Sequence, residues 1–279
     1  MVTEKAYAKL NLTLEVGEKR PDGYHELISV MTSATLYDTV TVEKADVITL
    51  TCDRADLPTD GRNLAVKAAG AFVETTGIYG GCHITLEKRI PSEAGLGGGS
   101  SDAAAVLRAL RNLYAPDMTT EELEAIGAQV GSDVPYCVRG GTVLCRGRGE
   151  QMTTLPDMPP CWYVIVKPEE AFSTGKMYGE IDRQKPQVVS TTGLLMEELD
   201  RGNLAEIAVH MNNTFQAVIS EESRVWDIQS HLLKAGALDA MMSGSGSAVF
   251  GIFDEEEAAR AAAETLKKTY PQTFLAKSV

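Results

Sequence analysis

The segment PSEAGLGGGSSDAAA, Pro91 to Ala105, restricts what this chain can fold into more than any other stretch. It follows CHITLEKRI (Cys82 to Ile90), which reads as a strand. It precedes Ala103, Val106, Leu107, Leu110 and Leu113, which keep helical spacing. Gly95, Gly97, Gly98 and Gly99 let the backbone adopt positive φ and approach a ligand with no Cβ in the way. Ser100, Ser101 and Asp102 offer capping and first-turn groups to the helix that follows. A helix start with free amides behind a glycine loop is an anion site, and two hydroxyls add donors. The plain alternative is a flexible glycine-rich turn, against which the position between a strand and a patterned helix weighs. The segment has no Lys after its last glycine, as a P-loop would, and Ser100 stands where a GxGxxG fingerprint needs glycine.

Charge sharpens that reading. Lys and Arg number 26 against 39 Asp and Glu, a formal net charge of −13. Such a chain has no global field to attract nucleic acid or an anionic membrane, so neither is an expected partner. Any phosphate must be held locally, by backbone amides and a few placed cations. Hydrophobic residues at 44% and charged residues at 23% are ordinary for a globular protein, and 279 residues suit one large domain or two modest ones. No apolar run is long enough to span a membrane. The opening MVTEKAYAKLNLTLEV carries charges where a signal peptide needs an apolar core. Five cysteines form no CxxC pair and are odd in number, which fits reduced thiols in a cytoplasm.

Along the chain, Ala8, Leu10, Leu12 and Leu14 alternate with polar residues, predicting one strand over residues 6–15. Thr39 to Cys52 predicts a strand pair around a charged turn, and Asn63 to Gly77 a helix stopped by its glycine. A second helix is expected over Thr120 to Val130. LPDMPPC (Leu155 to Cys161), with three prolines in seven residues, is the best candidate boundary, giving domains 1–155 and 156–279. Beyond it come strand WYVIV, several helices, strand AVFGIF and the helix DEEEAARAAAETLKK, acidic at its start and basic at its end. The fold class is α+β in two lobes. A second glycine cluster, MMSGSGSAVFGIF, sits between two predicted strands and by itself reads as a hairpin turn.

Taken together, Ala6 to Val16, RPDGYHEL (Arg20 to Leu27), GLGGGSSDAAA, Val130 to Glu150 and MMSGSGSAVF resemble the GHMP kinase superfamily, and within it a branch whose acceptor alcohol carries cytidine diphosphate. The pattern departs at MNNTFQAV (Met211 to Val218), where many members have an Asn-Asp-Leu-like stretch. The resemblance implies a ribosomal-S5-like N-terminal lobe, a ferredoxin-like C-terminal lobe and an active site in the cleft between them. It also implies ATP as phosphoryl donor, with Mg²⁺ accompanying it.

The resemblance gives Asp133, in GSDVP, as the base for the acceptor hydroxyl and Lys9 as its partner facing the γ-phosphate. Lys9 and Asn11 lie two apart on one strand, so both can point at one ligand. For either charged residue alone, a solvated Lys and a helix-capping Asp are the ordinary alternatives. ATP phosphates are expected on Pro91, Ser92, Glu93, Ala94, Gly95, Leu96, Gly97, Gly98, Gly99, Ser100 and Ser101, with Asn63, Leu64 and Lys88 near adenine. Residues alone suggest a packed Tyr24 ring and an exposed His25. The resemblance instead has Tyr24 stack on cytosine and His25 bond its edge, with Asn11, Thr174 and Tyr178 completing the substrate site and Phe172 as the other aromatic that would close the stack. Two readings stay open beside this one: a GHMP kinase of homoserine or mevalonate type, and a non-catalytic nucleotide-binding regulator. A monomer and a homodimer are equally compatible with the sequence.

Overall fold

In the computed structural model, which describes Met1–Val279, the first alternating stretch makes two strands, β1 (Val2–Asn11) and β2 (Thr13–Lys19), where one was expected. The chain breaks at Leu12, whose N–H is taken by Val30 O at 2.8 Å. There follow β3 (His25–Ala45), β4 (Thr49–Cys52), α1 (Leu64–Thr76), β5 (Gly81–Glu87), α2 (Gly98–Tyr114), α3 (Thr120–Val130), α4 (Val134–Arg139), β6 (Val143–Gly147) and β7 (Gln151–Thr154). Then come β8 (Trp162–Val166), α5 (Thr174–Gln184), α6 (Thr192–Arg201), α7 (Leu204–Val209), β9 (Asn212–Asn213) and a 3₁₀ turn at Thr214–Val218. The chain ends with α8 (Arg224–Lys234), β10 (Asp239–Met242), β11 (Val249–Phe253), α9 (Glu256–Lys267) and β12 (Thr273–Lys277).

Helix ends follow local chemistry. The Asn63 side chain caps α1 by accepting from Ala65 N, and Gly77 ends the helix in the left-handed region. Thr119 and Glu122 form a reciprocal capping box at the start of α3. The predicted bounds of both helices hold for that reason.

Two compact units emerge, both discontinuous in sequence. The first comprises Met1–Lys9, Tyr37–Ser92 and Gly97–Gly140. Here β3 and β4 are both strands, as predicted, but they do not pair with each other. β5 stands between them, antiparallel to β3 and parallel to β4. A parallel β4–β5 pair requires a crossover, and α1 supplies it. Phe72 of α1, the alanines and Leu107 of α2, and Ile84 and Leu86 of β5 form its dry core. The small side chains of Ala65, Ala68, Ala69, Ala103 and Ala104 allow helices and sheet to approach closely.

The second unit comprises Leu10–Leu36, Glu93–Leu96 and Gly141–Val279. β10, β11, β8 and β12 form an antiparallel sheet in that order, covered by α8 and α9. Val164, Val166, Val249, Phe253, Ile228 and Leu266 fill the space between. In the same unit β2 pairs with β3 and, in parallel, with the short β9.

Asn213, inside the segment that departs from the family pattern, fastens this unit locally. Its amide nitrogen donates to Met242 O at 2.7 Å and Gly244 O at 2.8 Å, while its oxygen accepts from Phe215 N. Asn213→Ala strands two buried carbonyls and should lower stability by about 1–3 kcal/mol, read as a shift in the urea midpoint at unchanged slope.

Candidate active site

In the first unit, Lys9 sits near the end of β1 and is almost wholly buried, with Nζ 3.7 Å from Oδ2 of Asp133. Asp133 stands at the N-cap position of α4, yet its carboxylate makes no capping bond. The ordinary capping role is therefore not taken up, and the half-open carboxylate faces the ammonium instead. An ion pair of this kind can accept a proton at the oxygen and present a positive charge beside it.

The Lys9 stem also defines the loop. Gly97 has φ +68°, and a Cβ there would fall 2.7 Å from Lys9 Cγ. Any other residue at this position would be strained twice, by its backbone and by that contact. Gly97 is the N-cap of α2, whose first intrahelical bond runs from Ser101 N to Gly97 O at 2.8 Å. The amides of Gly98, Gly99 and Ser100 precede it and lack intrahelical acceptors. No acidic residue lies in that first turn, so the positive end of the helix dipole is unopposed there.

The capping of α2 expected from the serines and aspartate of the loop does not form, since Gly97 is its N-cap with no side-chain bond. Ser101 and Asp102 are both buried. Ser101 Oγ donates to Tyr7 O at 2.6 Å and its N–H to Gly97 O, so both of its donors are already engaged. Lys88, expected near adenine, has its ammonium enclosed between two carboxylates, Asp38 Oδ2 and Asp102 Oδ2, each at 2.5 Å. The Asn63 side chain is likewise committed, to Ala65 N and Pro58 O. Leu64, by contrast, lies against the loop, its Cδ1 3.4 Å from where a Cβ on Gly99 would be.

In the second unit, Glu93 to Leu96 run against the other glycine cluster. Gly95, at φ +74°, leaves no room for a side chain: its Cβ would lie 2.0 Å from Ser243 O. Ser243 Oγ donates to Gly95 O, and Ala248 N to Ala94 O. The Ser243–Ser247 stretch is thus the β10–β11 hairpin turn, as its sequence suggests, and also a support for the loop. Asn11 is buried, its Nδ2 donating to Ser29 Oγ at 2.8 Å and its N–H to Ser243 Oγ.

The aromatic residues reverse the reading made from residues alone. Tyr24 is 51% exposed and His25 only 7%. The Arg148 guanidinium covers one face of the Tyr24 ring, 3.8 Å from its centroid. His25 stacks on Tyr178, centroids 5.0 Å apart at 17°, and Tyr178 in turn meets the edge of Phe215. Nε2 of His25 is 2.9 Å from Asp182 Oδ1, and Lys19 Nζ is 2.7 Å from the other oxygen. These two bonds, Lys19 first, hold the Asp182 carboxyl below the usual range. A carboxylate only accepts, so a neutral His25 carries its proton on Nε2 and leaves Nδ1 as an acceptor. Thr174 Oγ1 bonds Ser245 Oγ at 2.8 Å, and the Phe172 ring lies against Gly246. Of the two candidate aromatics, the structure therefore sets Tyr178, and not Phe172, beside His25.

Asp182 and Arg148 were not singled out from sequence. Thr174, Tyr178 and Asp182 recur every four residues along α5, a spacing that puts all three on one face and would have revealed Asp182. Arg148 lies inside a recognised motif, CRGRGE, but nothing local ties it to Tyr24.

The profile "GHMP kinases N terminal domain" matches residues 63–141, and "GHMP kinases C terminal" matches residues 195–272. The chain is a GHMP kinase. Proteins named 4-diphosphocytidyl-2-C-methyl-D-erythritol kinase are 41% identical over 277 residues in Clostridium tetani, covering 99% of both chains. The one from Caldanaerobacter subterraneus is 43% identical, covering 99% of this chain and 96% of its own. A crystal structure of 4-(cytidine 5'-diphospho)-2C-methyl-D-erythritol kinase superposes with a TM-score of 0.84 at 33% identity, covering 99% of this chain and 98% of that one. A homoserine kinase from Cytophaga hutchinsonii, at 21% identity and TM-score 0.74, shares the fold.

The buried carboxylates of this kinase yield a pH prediction. Burial, with the Asp38 charge adding to it against the pull of Lys88, pushes Asp102 up to about 7 from the ordinary 3.8. The folded state then keeps a proton that the unfolded chain releases near its ordinary pKa. Stability is full below that value and is lost as pH rises through about 7. Asp102→Asn escapes this loss, so its melting temperature relative to wild type should climb between pH 4 and pH 7 and level off above, measured by thermal scans across that range.

Proposed function

We propose that the chain transfers the γ-phosphoryl group of ATP to the 2-hydroxyl of 4-diphosphocytidyl-2-C-methyl-D-erythritol, a step of non-mevalonate isoprenoid biosynthesis. Full-length relatives of that name support the acceptor. Within this chain, the observation that carries the choice is the exposed Tyr24 ring next in sequence to a buried His25 whose orientation is fixed by Asp182 and Tyr178. An alcohol without a nucleobase has no use for such a platform, which disfavours homoserine and mevalonate.

In this reading Asp133 takes the hydroxyl proton as the alcohol oxygen bonds to the γ-phosphorus and the bond to the β-bridging oxygen breaks, releasing ADP. Lys9 neutralises charge that builds on the transferring group. The amides of Gly98, Gly99 and Ser100 receive the phosphates. The open face of Tyr24 stacks on cytosine while Nδ1 of His25 accepts from its exocyclic amine. No group of three or more His, Cys, Asp or Glu side chains could hold a metal ion. Mg²⁺ would accompany ATP and bridge its phosphate oxygens, and no step is assigned to it.

No helix is long and apolar enough to cross a membrane. All five cysteines are unpaired, which supports a reducing, cytoplasmic setting. The negative charge supports small molecules, and not nucleic acid, as partners.

ATP consumption with the cytidine substrate, homoserine and mevalonate tests the assignment: turnover with the first alone is expected, and turnover with either of the others instead would overturn it. Asp133→Asn should abolish turnover and leave substrate affinity within about threefold. Tyr24→Ala should raise the KM for the cytidine substrate by roughly 5- to 150-fold and spare that for ATP, since base–aromatic stacking is worth about 1–3 kcal/mol. A loss of ATP affinity in its place would move the base pocket elsewhere.

A further inference from the structure

The buried cluster under the glycine loop has a role that ion pairing alone does not explain. Asp38, fully buried on β3, accepts from the backbone amides of Arg89 at 2.5 Å and Ile90 at 2.8 Å, and from Lys88 Nζ at 2.5 Å. That one carboxylate latches the three residues leading into the loop and balances the Lys88 charge. The ammonium then reaches a second carboxylate, Asp102, early in α2 on the far side of the loop. The other Asp102 oxygen, buried, has no hydrogen-bond partner. The remaining charged or titratable neighbours are Asp53, which accepts from Lys88 N, and Cys52 beside it, both at the end of β4.

Asp102 is thus surplus to the ion pair. Lys88 and Asp38 form a neutral pair without it, and it leaves one buried oxygen without a hydrogen-bond partner, which costs stability. A group that costs stability and completes no charge balance points to work done elsewhere. What it adds is a tie: through one ammonium, it joins the backbone entering the loop to the helix leaving it.

We propose that Asp38, Lys88 and Asp102 are positioning residues for nucleotide binding, fixing the start of α2 so that the amides of Gly98, Gly99 and Ser100 converge on a polyphosphate. Lys88 serves here through its two carboxylates and not as a ligand of the nucleotide. The inference rests on the loop being the ATP site.

Asp102→Leu tests it, because this change cuts the tie and leaves Lys88 balanced by Asp38. Expected are a KM for ATP, and a calorimetric Kd for a non-hydrolysable ATP analogue, raised about tenfold or more, with the KM for the cytidine substrate within about twofold. The melting temperature at pH 8 should equal or exceed that of wild type, which a merely structural role would not give. Asp102→Asn, whose amide oxygen still accepts from Lys88, should hold ATP affinity within about threefold of wild type. Should the Leu variant not fold, Asp102→Ala carries the same expectation. Wild-type affinity for the analogue in Asp102→Leu, or parallel loss of both substrates with a lower melting temperature, would overturn the proposal. Failure of the wild-type protein to bind the analogue at all would instead overturn the reading of the loop.

Discussion

The left-handed turn at Gly97 constrains everything around it. With φ at +68°, the backbone swings into α2 and leaves three amides without partners inside the helix. The space a side chain would occupy there is filled by the stem of Lys9, whose head pairs with Asp133. One contact therefore determines both which residue can stand at position 97 and where the ammonium ends. In a chain with thirteen more acids than bases, anion binding has to be assembled from such parts, with dipoles and one or two cations brought close by packing.

A different logic organises the second unit's candidate base site, where the polar group is held by its neighbours. His25 is clamped through its plane by the Asp182 bond and across its face by Tyr178, which Phe215 backs edge-on. Lys19 shares the Asp182 carboxylate, so the acceptor is itself anchored. Such shells keep a ring in one tautomer and one orientation before any ligand arrives, which lowers the ordering cost of binding. Tyr24 has only Arg148 against one face and stays open on the other.

Local features of this chain were legible, and long-range ones were not. The bounds of α1 and α3 could be read because Asn63, Gly77 and Thr119 act within a turn of themselves. The glycine loop, Lys9, Asp133, Tyr24 and His25 stood out through motif resemblance. The placement of β5 between β3 and β4 was invisible, since period-two alternation says that a strand exists and nothing about its neighbour. The same limit hid the cluster of Asp38, Lys88 and Asp102, whose members are fifty and fourteen residues apart in sequence. The Tyr24–His25 inversion was hidden because residue type predicts average exposure, while Arg148 and Asp182 set the actual one.

The discontinuity of both compact units bears on how the chain is made. Residues 10–36 belong to the same unit as 141–279, although the whole middle of the chain is synthesised between them. On the ribosome, the first unit has all its segments once Gly140 has left the exit tunnel, whereas β2, though it can pair with β3 at once, gains β9 and the core partners Val164, Val249 and Phe253 only later. These early strands carry Leu14, Val16 and Val30, apolar and buried in the finished protein. During translation these side chains lack the core that later covers them, the circumstance in which nascent chains depend on holding chaperones.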